Sequence, residues 1–284
     1  MNLRNELFAK YGAETGKPYK AGSALPATPD ELKTIFSLLD LTTLNSDDND
    51  ETARRFTGRL NGFAEAFPGW PPVAAICIYP LLADEVRKTL TAPGVKVAAV
   101  GAGFPSSQTF LAVKVAECGL LASKGVDEID VVISAGKFIA GDYMDVLNEL
   151  ILIREACTGV TLKVILETGL LRSAEEIRLA SLIAMEAGAD FIKTSTGKVA
   201  VSATPEAVQV MVTAIGDYFS VTGRPVGIKP AGGIAEVPDA LTYYRIVEEK
   251  LGSDWLVPAR FRIGASRLAN NLLSAAAGSE IRYF

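Results

Sequence analysis

One pattern restricts the fold of this chain more than any other: short β-rich runs alternate with longer stretches whose apolar residues recur at helical spacing. The runs cover 38–43, 73–79, 95–101, 127–134, 161–167, 190–194, 225–229 and 260–264, and helical segments fall at 107–124, 143–156, 174–187, 204–218 and 235–251. Gly125, Gly188 and Gly252 stand where helices should stop. Strands that alternate with helices must pair in parallel through right-handed crossovers, and eight such units in about 250 residues fit a closed barrel. The expected fold is therefore α/β, a single (β/α)8 TIM barrel over 29–284, preceded by an extension at 1–28 without clear periodicity. A doubly wound open sheet is the alternative, but no G-x-G-x-x-G follows the first strand to favour it.

Composition narrows the chemistry. With 284 residues and 49% apolar content the chain can bury a large core. A net charge of -5 without a basic run argues against nucleic-acid or membrane-surface partners, and the apolar stretches are too short to span a bilayer. The first residues lack the apolar core of a secretory signal, which points to the cytoplasm. Cys77, Cys118 and Cys157 are too few and too scattered for a disulfide framework or a metal site. Histidine is absent, which removes Ser-His-Asp and Cys-His nucleophile systems and the commonest zinc ligand. Neither metal nor cofactor is expected, and the chemistry falls to Lys, Asp, Glu, Tyr, Cys or water.

Strand parity gathers the charged residues. Asp130 and Lys193 each follow a helix-ending glycine by five positions, so both point away from the face occupied by Ile129, Val131 and Ile192. By the same alternation Asp40, Thr42, Cys77, Lys163, Glu167, Lys229 and Arg262 point inward, with the small Gly227 beside Lys229. Barrel interiors are mostly aliphatic, so this density of charge is costly unless it forms a site. An amine is a nucleophile only when neutral, and at a pKa of about 10.4 roughly one lysine in a thousand is neutral at pH 7. Burial and a second ammonium both lower that value, so two close lysines, Lys193 and Lys229, suggest Schiff-base chemistry with Asp130 as general base or relay. Glycine turns and a helix start after strands six to eight, around Gly197 and Lys198, Gly232 and Gly233, and Gly264 to Arg267, form a candidate phosphate site. The residues alone leave open a related aldolase or transaldolase, an isomerase working through carboxylates, and a non-catalytic phosphosugar binder.

Six motifs then carry a resemblance. They are Leu39-Asp40-Leu41-Thr42-Thr43-Leu44-Asn45, Ala75-Ile76-Cys77-Ile78-Tyr79-Pro80, Asp127-Glu128-Ile129-Asp130-Val131-Val132, Phe191-Ile192-Lys193-Thr194-Ser195-Thr196-Gly197-Lys198, Lys229-Pro230-Ala231-Gly232-Gly233 and Phe261-Arg262-Ile263-Gly264-Ala265-Ser266. In this order, from about residue 37 to 270, the chain resembles the deoxyribose-phosphate aldolase family. The resemblance implies a class I aldolase that reversibly cleaves 2-deoxy-D-ribose 5-phosphate to D-glyceraldehyde 3-phosphate and acetaldehyde in deoxyribonucleotide catabolism. It implies that Lys193 forms the imine, Lys229 depresses its pKa and Asp130 relays protons. Asp40, Thr42, Asn45, Cys77, Lys163 and Thr196 would meet the substrate, with Cys77 equally readable as a small buried filler. Gly197, Lys198, Gly232, Gly233, Gly264, Ser266 and Arg267 would hold the phosphate. The implied partners are small phosphosugars and aldehydes, and a homodimer stays open.

The chain departs from the family pattern at three places. Ile234-Ala235 follows the double glycine where a basic residue is common, and Arg267 stands where a small hydroxyl residue is common. Arg267 is expected to restore the missing charge, against the plainer reading of a solvent-facing arginine. The tail ends Ile281-Arg282-Tyr283-Phe284, so Tyr283 is the candidate for the terminal tyrosine that assists proton transfer in some members.

Overall fold

The structure is a computed structural model describing residues 2–20 and 26–284. In chain order it contains α1 (Leu3–Tyr11), α2 (Pro29–Ser37), β1 (Leu39–Thr42), α3 (Asp50–Asn61), α4 (Phe63–Ala66), β2 (Ala75–Ile78), α5 (Ala83–Thr89), β3 (Lys96–Gly101), α6 (Leu111–Ser123) and β4 (Glu128–Val132). There follow α7 (Ala135–Ala140), α8 (Tyr143–Ala156), β5 (Thr161–Ile165), α9 (Ala174–Glu186), β6 (Phe191–Lys193), α10 (Pro205–Thr222), β7 (Gly227–Lys229), α11 (Val237–Leu251), β8 (Ile263–Ala265) and α12 (Leu268–Ala277). The strands pair in parallel in the order β7-β6-β5-β4-β3-β2-β1-β8. Bridges from Ile228 to Phe261 and from Ala231 to Gly264 join the two ends, so the sheet closes into the expected (β/α)8 barrel.

The seam between β7 and β8 is thin for a local reason. Pro230 has no N–H to donate, so beyond Lys229 the junction relies on its carbonyl, which accepts from Gly264 N at 2.9 Å. Gly125, Gly188 and Gly252 all take positive φ at helix ends, as their positions predict. The run at 161–167 stops early: β5 ends at Ile165, and Glu167 turns into the left-handed region at φ 53.

Two packing zones follow from strand alternation. Outward residues such as Leu39, Leu41, Ile129, Val131, Ile192 and Ile228 pack with the helices in the main core. Inside β2 and β3 a separate small cluster contains Leu44, Ala75, Cys77, Ala98 and Val100. These short side chains leave room across the axis for the long charged groups of the other strands.

The first segment is a docked helix. Asn2 caps α1, whose Leu3, Leu7 and Tyr11 are buried, and Arg178 of α9 donates to the carbonyls of Tyr11 at 2.6 Å and Gly12 at 3.0 Å. Among the described residues no helix is long and apolar enough to cross a membrane.

Candidate active site

Seven charged side chains meet on the barrel axis: Asp40 from β1, Glu128 and Asp130 from β4, Lys163 from β5, Lys193 from β6, Lys229 from β7, and Arg262 just before β8. All are buried. Register brings them into apposition, with Asp130 opposite Lys163 and Lys193 opposite Lys229 on neighbouring strands. The charged inward set read from sequence is thus assembled in space apart from Glu167, with Glu128 added to it.

Asp130 sits between the two lysines. Its Oδ2 accepts from Lys193 Nζ at 2.8 Å and from Lys229 Nζ at 2.7 Å. Lys229 also reaches Asp40 Oδ2 at 2.5 Å. Lys163 Nζ lies 3.2 Å from Asp130 Oδ1, within ion-pair range but without hydrogen-bond alignment, so Oδ1 keeps its accepting capacity. Arg262 donates to Asp40 Oδ1 at 2.6 Å, and its two terminal nitrogens fork onto Glu128 at 2.6 and 3.1 Å.

These surroundings divide the lysines. Burial lowers the pKa of Lys193 and the Lys229 ammonium adds to the effect, so that together they outweigh the opposing pull of Asp130. Burial also opposes the Lys229 ammonium, but there Asp130 and Asp40 prevail and hold its pKa above the ordinary value. Against a large burial cost, the cations Lys163, Lys193 and Lys229 keep Asp130 well below the usual carboxylate range. The arrangement is a neutral-leaning amine beside an ionised carboxylate and a retained ammonium.

A cavity of about 260 Å³ opens above this cluster, with Lys193 on its wall. Thr42, Asn45, Thr196, Gly197 and Lys198 line one part, and Gly232, Gly233, Gly264, Ser266 and Arg267 line another. Gly197 and Gly232 pack backbone to backbone: a Cβ on Gly232 would lie 2.6 Å from Ser202 Oγ and 3.0 Å from Gly197 Cα, at φ +86. A Cβ on Gly264 would press on Ala231 at 2.8 Å and on Lys229 Cε at 3.1 Å. Lys198 Nζ is drawn across the mouth to the Leu44 carbonyl at 2.6 Å. Arg267 is exposed and precedes α12, whose first turn has no side-chain cap and so presents free N–H groups.

Several expected contacts fall elsewhere. Asp40, Cys77 and Lys163 lie beneath the cavity and are not among its lining residues. The Lys163 ammonium is taken up by Asp40, Glu128 and Asp130, and the Asp40 oxygens by Lys163, Lys229 and Arg262. Cys77 is fully buried in the small apolar cluster, and burial pushes its thiol pKa up. Tyr283 also lies outside the cavity. Its ring packs edge-on against Phe63 and Phe67, and its hydroxyl donates to the Arg59 carbonyl at 2.7 Å. Burial in this aromatic group fixes the tail against α3 and α4.

Two residues with no expected catalytic or binding role shape the site. Strand alternation predicts an inward Glu167, but β5 has ended before it, and its left-handed turn sends the carboxylate to Thr196, which donates from N at 3.1 Å and from Oγ1 at 2.6 Å. That anchors the loop after β6. Glu128 is the other, and its parity with Asp130, two positions along the same strand, is the signal that would have found it.

The chain is similar to known proteins. The sequence matches the DeoC/LacD family aldolase profile over residues 34–249. It is 40% identical to human deoxyribose-phosphate aldolase over 83% of this chain and 77% of that one. To the deoxyribose-phosphate aldolase of Agrobacterium fabrum it is 42% identical, over 86% and 91% of the two chains. The tetrameric deoxyribose phosphate aldolase of Aeropyrum pernix shares the fold, with a TM-score of 0.65 at 22% identity over 96% of each chain.

Proposed function

The chain belongs to the DeoC/LacD aldolase family, and from that premise we propose that it is a class I deoxyribose-phosphate aldolase, a lyase that reversibly cleaves 2-deoxy-D-ribose 5-phosphate to D-glyceraldehyde 3-phosphate and acetaldehyde. One observation carries the reading: Asp130 Oδ2 is shared between Lys193 and Lys229 at 2.8 and 2.7 Å, at the base of a cavity with phosphate-compatible loops. The neutral Lys193 amine attacks the C1 aldehyde of the open-chain sugar. Loss of water from the carbinolamine leaves an iminium. Removal of the C3 hydroxyl proton then lets the C2–C3 bond break, releasing glyceraldehyde 3-phosphate and leaving an enamine on Lys193. Protonation at C2 and hydrolysis free acetaldehyde and return the amine.

Each group has one task. Lys229 stays an ammonium and keeps Lys193 neutral, while Asp130 passes protons between the amine and the reacting atoms. Thr42, Asn45 and Thr196 face the sugar from the cavity wall. The backbone around Gly197, Gly232, Gly233 and Gly264, with Ser266, Lys198 and Arg267, receives the phosphate. This activity belongs to deoxyribonucleotide catabolism. The buried free thiols of Cys77, Cys118 and Cys157 fit a reducing compartment, and the cytoplasm is the location proposed.

A homodimer is the proposed assembly. Leu81, Phe110, Val113 and Leu120 are exposed around a largely apolar groove between the start of α5 and α6. Asp84 and Lys124, which pair with each other, and Glu117 also line it, so its apolar centre is the part that the same patch on a second copy would cover.

The decisive experiment is cleavage of deoxyribose 5-phosphate by wild type and Lys193→Leu, paired with borohydride trapping of acetaldehyde. Wild type should turn over and take one two-carbon adduct on Lys193, and the variant should do neither. An inactive, unlabelled wild type would refute the assignment.

A further inference from the structure

Glu128 has no part in the reaction above, yet it is buried, and its carboxylate takes both terminal nitrogens of Arg262 and the Lys163 ammonium. Such a group at the bottom of a barrel is costly unless its charge is needed. A count of the cluster shows the need. Asp40, Glu128 and Asp130 face Lys163, Lys193, Lys229 and Arg262, three acids against four bases. The cluster is neutral when one base sheds its proton. Arg262 cannot, for a guanidinium does not deprotonate in proteins. Lys163 meets three carboxylates and Lys229 two, whereas Lys193 meets one and alone among the three lines the cavity.

We propose that Glu128 is a positioning residue: by clamping Arg262 and Lys163 as cations it leaves Asp130 Oδ2 to Lys193 and Lys229, so that Lys193 is the base that sheds its proton, and its charge sets the pH at which Lys193 does so. The inference rests on Lys193 being the imine-forming lysine. Lys193 is faced by Asp130 of β4, Lys229 of β7 and Cys77 of β2, with Lys163 of β5, Asp40 of β1 and Arg262 just before β8 joined through the two aspartates. Without the Glu128 charge the cluster holds one more unit of positive charge, which presses Lys193 to lose its proton at lower pH. Arg262 and Lys163 then bear on Asp40 and Asp130 alone.

The test follows the rate of acetaldehyde trapping on Lys193 against pH, read by mass spectrometry on the full chain. Glu128→Gln should move the acid limb down by about one pH unit. Lys163→Met removes the opposite charge and should move it up. The double variant restores the count and should return the limb close to wild type. Glu128→Asp, which keeps the charge, should hold the wild-type limb. An unlabelled wild type would sink the aldolase reading itself. A labelled wild type with an unmoved limb in Glu128→Gln, whatever the loss in Tm, would make Glu128 a packing residue and overturn this inference alone. Should Glu128→Gln fail to fold, an unmoved limb in Lys163→Met, or a limb in the double variant that stays displaced from wild type, overturns it equally.

Discussion

Replacing Lys229 by methionine isolates the electrostatic part of the mechanism, because the substitution keeps most of the side-chain volume and removes one charge. In the wild type both amines bind the same Asp130 oxygen, at 2.8 and 2.7 Å, so their nitrogens are at most about 5.5 Å apart. Two unit charges at about 5.5 Å in an effective dielectric of about 20 repel by about 3 kcal/mol. That corresponds to about two pKa units, so losing Lys229 should cut the neutral fraction of Lys193 near pH 7 roughly a hundredfold. The charge count agrees, since three acids would then face three bases and Lys193 could stay an ammonium without leaving the cluster charged. Asp130 would keep both Lys193 and Lys163, so no carboxylate is stranded. The assay is the rate of borohydride-trapped acetaldehyde on Lys193 across pH, with circular dichroism to check the fold. The acid limb should move up by about two units, and raising the pH should restore much of the lost rate. A folded Lys229→Met protein that labels at the wild-type rate with the wild-type pH profile would show that Lys193 is kept neutral by burial alone.

Three further outcomes follow from the site. Lys193→Met should raise Tm at neutral pH, because the folded state holds this lysine below its ordinary pKa of 10.5 and so binds fewer protons than the unfolded chain; that burden on the wild type applies in full below the folded-state pKa and fades as pH climbs towards 10.5. The gain should therefore shrink over the same window, and thermal scans at several pH values would expose a constant or absent difference. Arg267→Ser should raise KM for the phosphorylated sugar several-fold while leaving free deoxyribose unaffected; an unchanged KM would return Arg267 to solvent. Truncation after Arg282 removes the ring of Tyr283 from Phe63 and Phe67 and that of Phe284 from Phe36 and Phe63. It should lower Tm with turnover retained, and a loss of kcat at unchanged Tm would show that the tail reaches the reacting atoms.

What the sequence disclosed depended on how each element earns its burial. Strands with one aliphatic face and one charged face reveal their parity, so Asp130, Lys163, Lys193, Lys229 and Arg262 could be placed inward without coordinates. Helix α3 left no such trace, since its buried residues are Ala53, Thr57 and Leu60 among acids and arginines. Helix α1 is only nine residues long, and its stripe of Leu3, Leu7 and Tyr11 gains meaning only when α9 and its Arg178 are beside it. The place of Tyr283 leaves no trace in the sequence, because the tail has no periodicity and its position is decided by aromatic partners far away in sequence.

Glu128 shows a different limit. Its inward direction was legible from Asp130, but parity states only which way a side chain points and is silent on which charge answers which. The partners of Glu128 come from β5 and from the residue before β8, 35 and 134 positions away. Only closure of the barrel makes the balance of three acids and four bases countable. The sequence thus identifies a lysine capable of acting as a nucleophile, whereas the reason that this lysine rather than its neighbours gives up a proton belongs to the whole ring. If that is correct, the acid limb should follow the net charge of the cluster more closely than the identity of any residue within it. Charge-neutral double substitutions deep in the barrel should then preserve the limb even where they lower Tm.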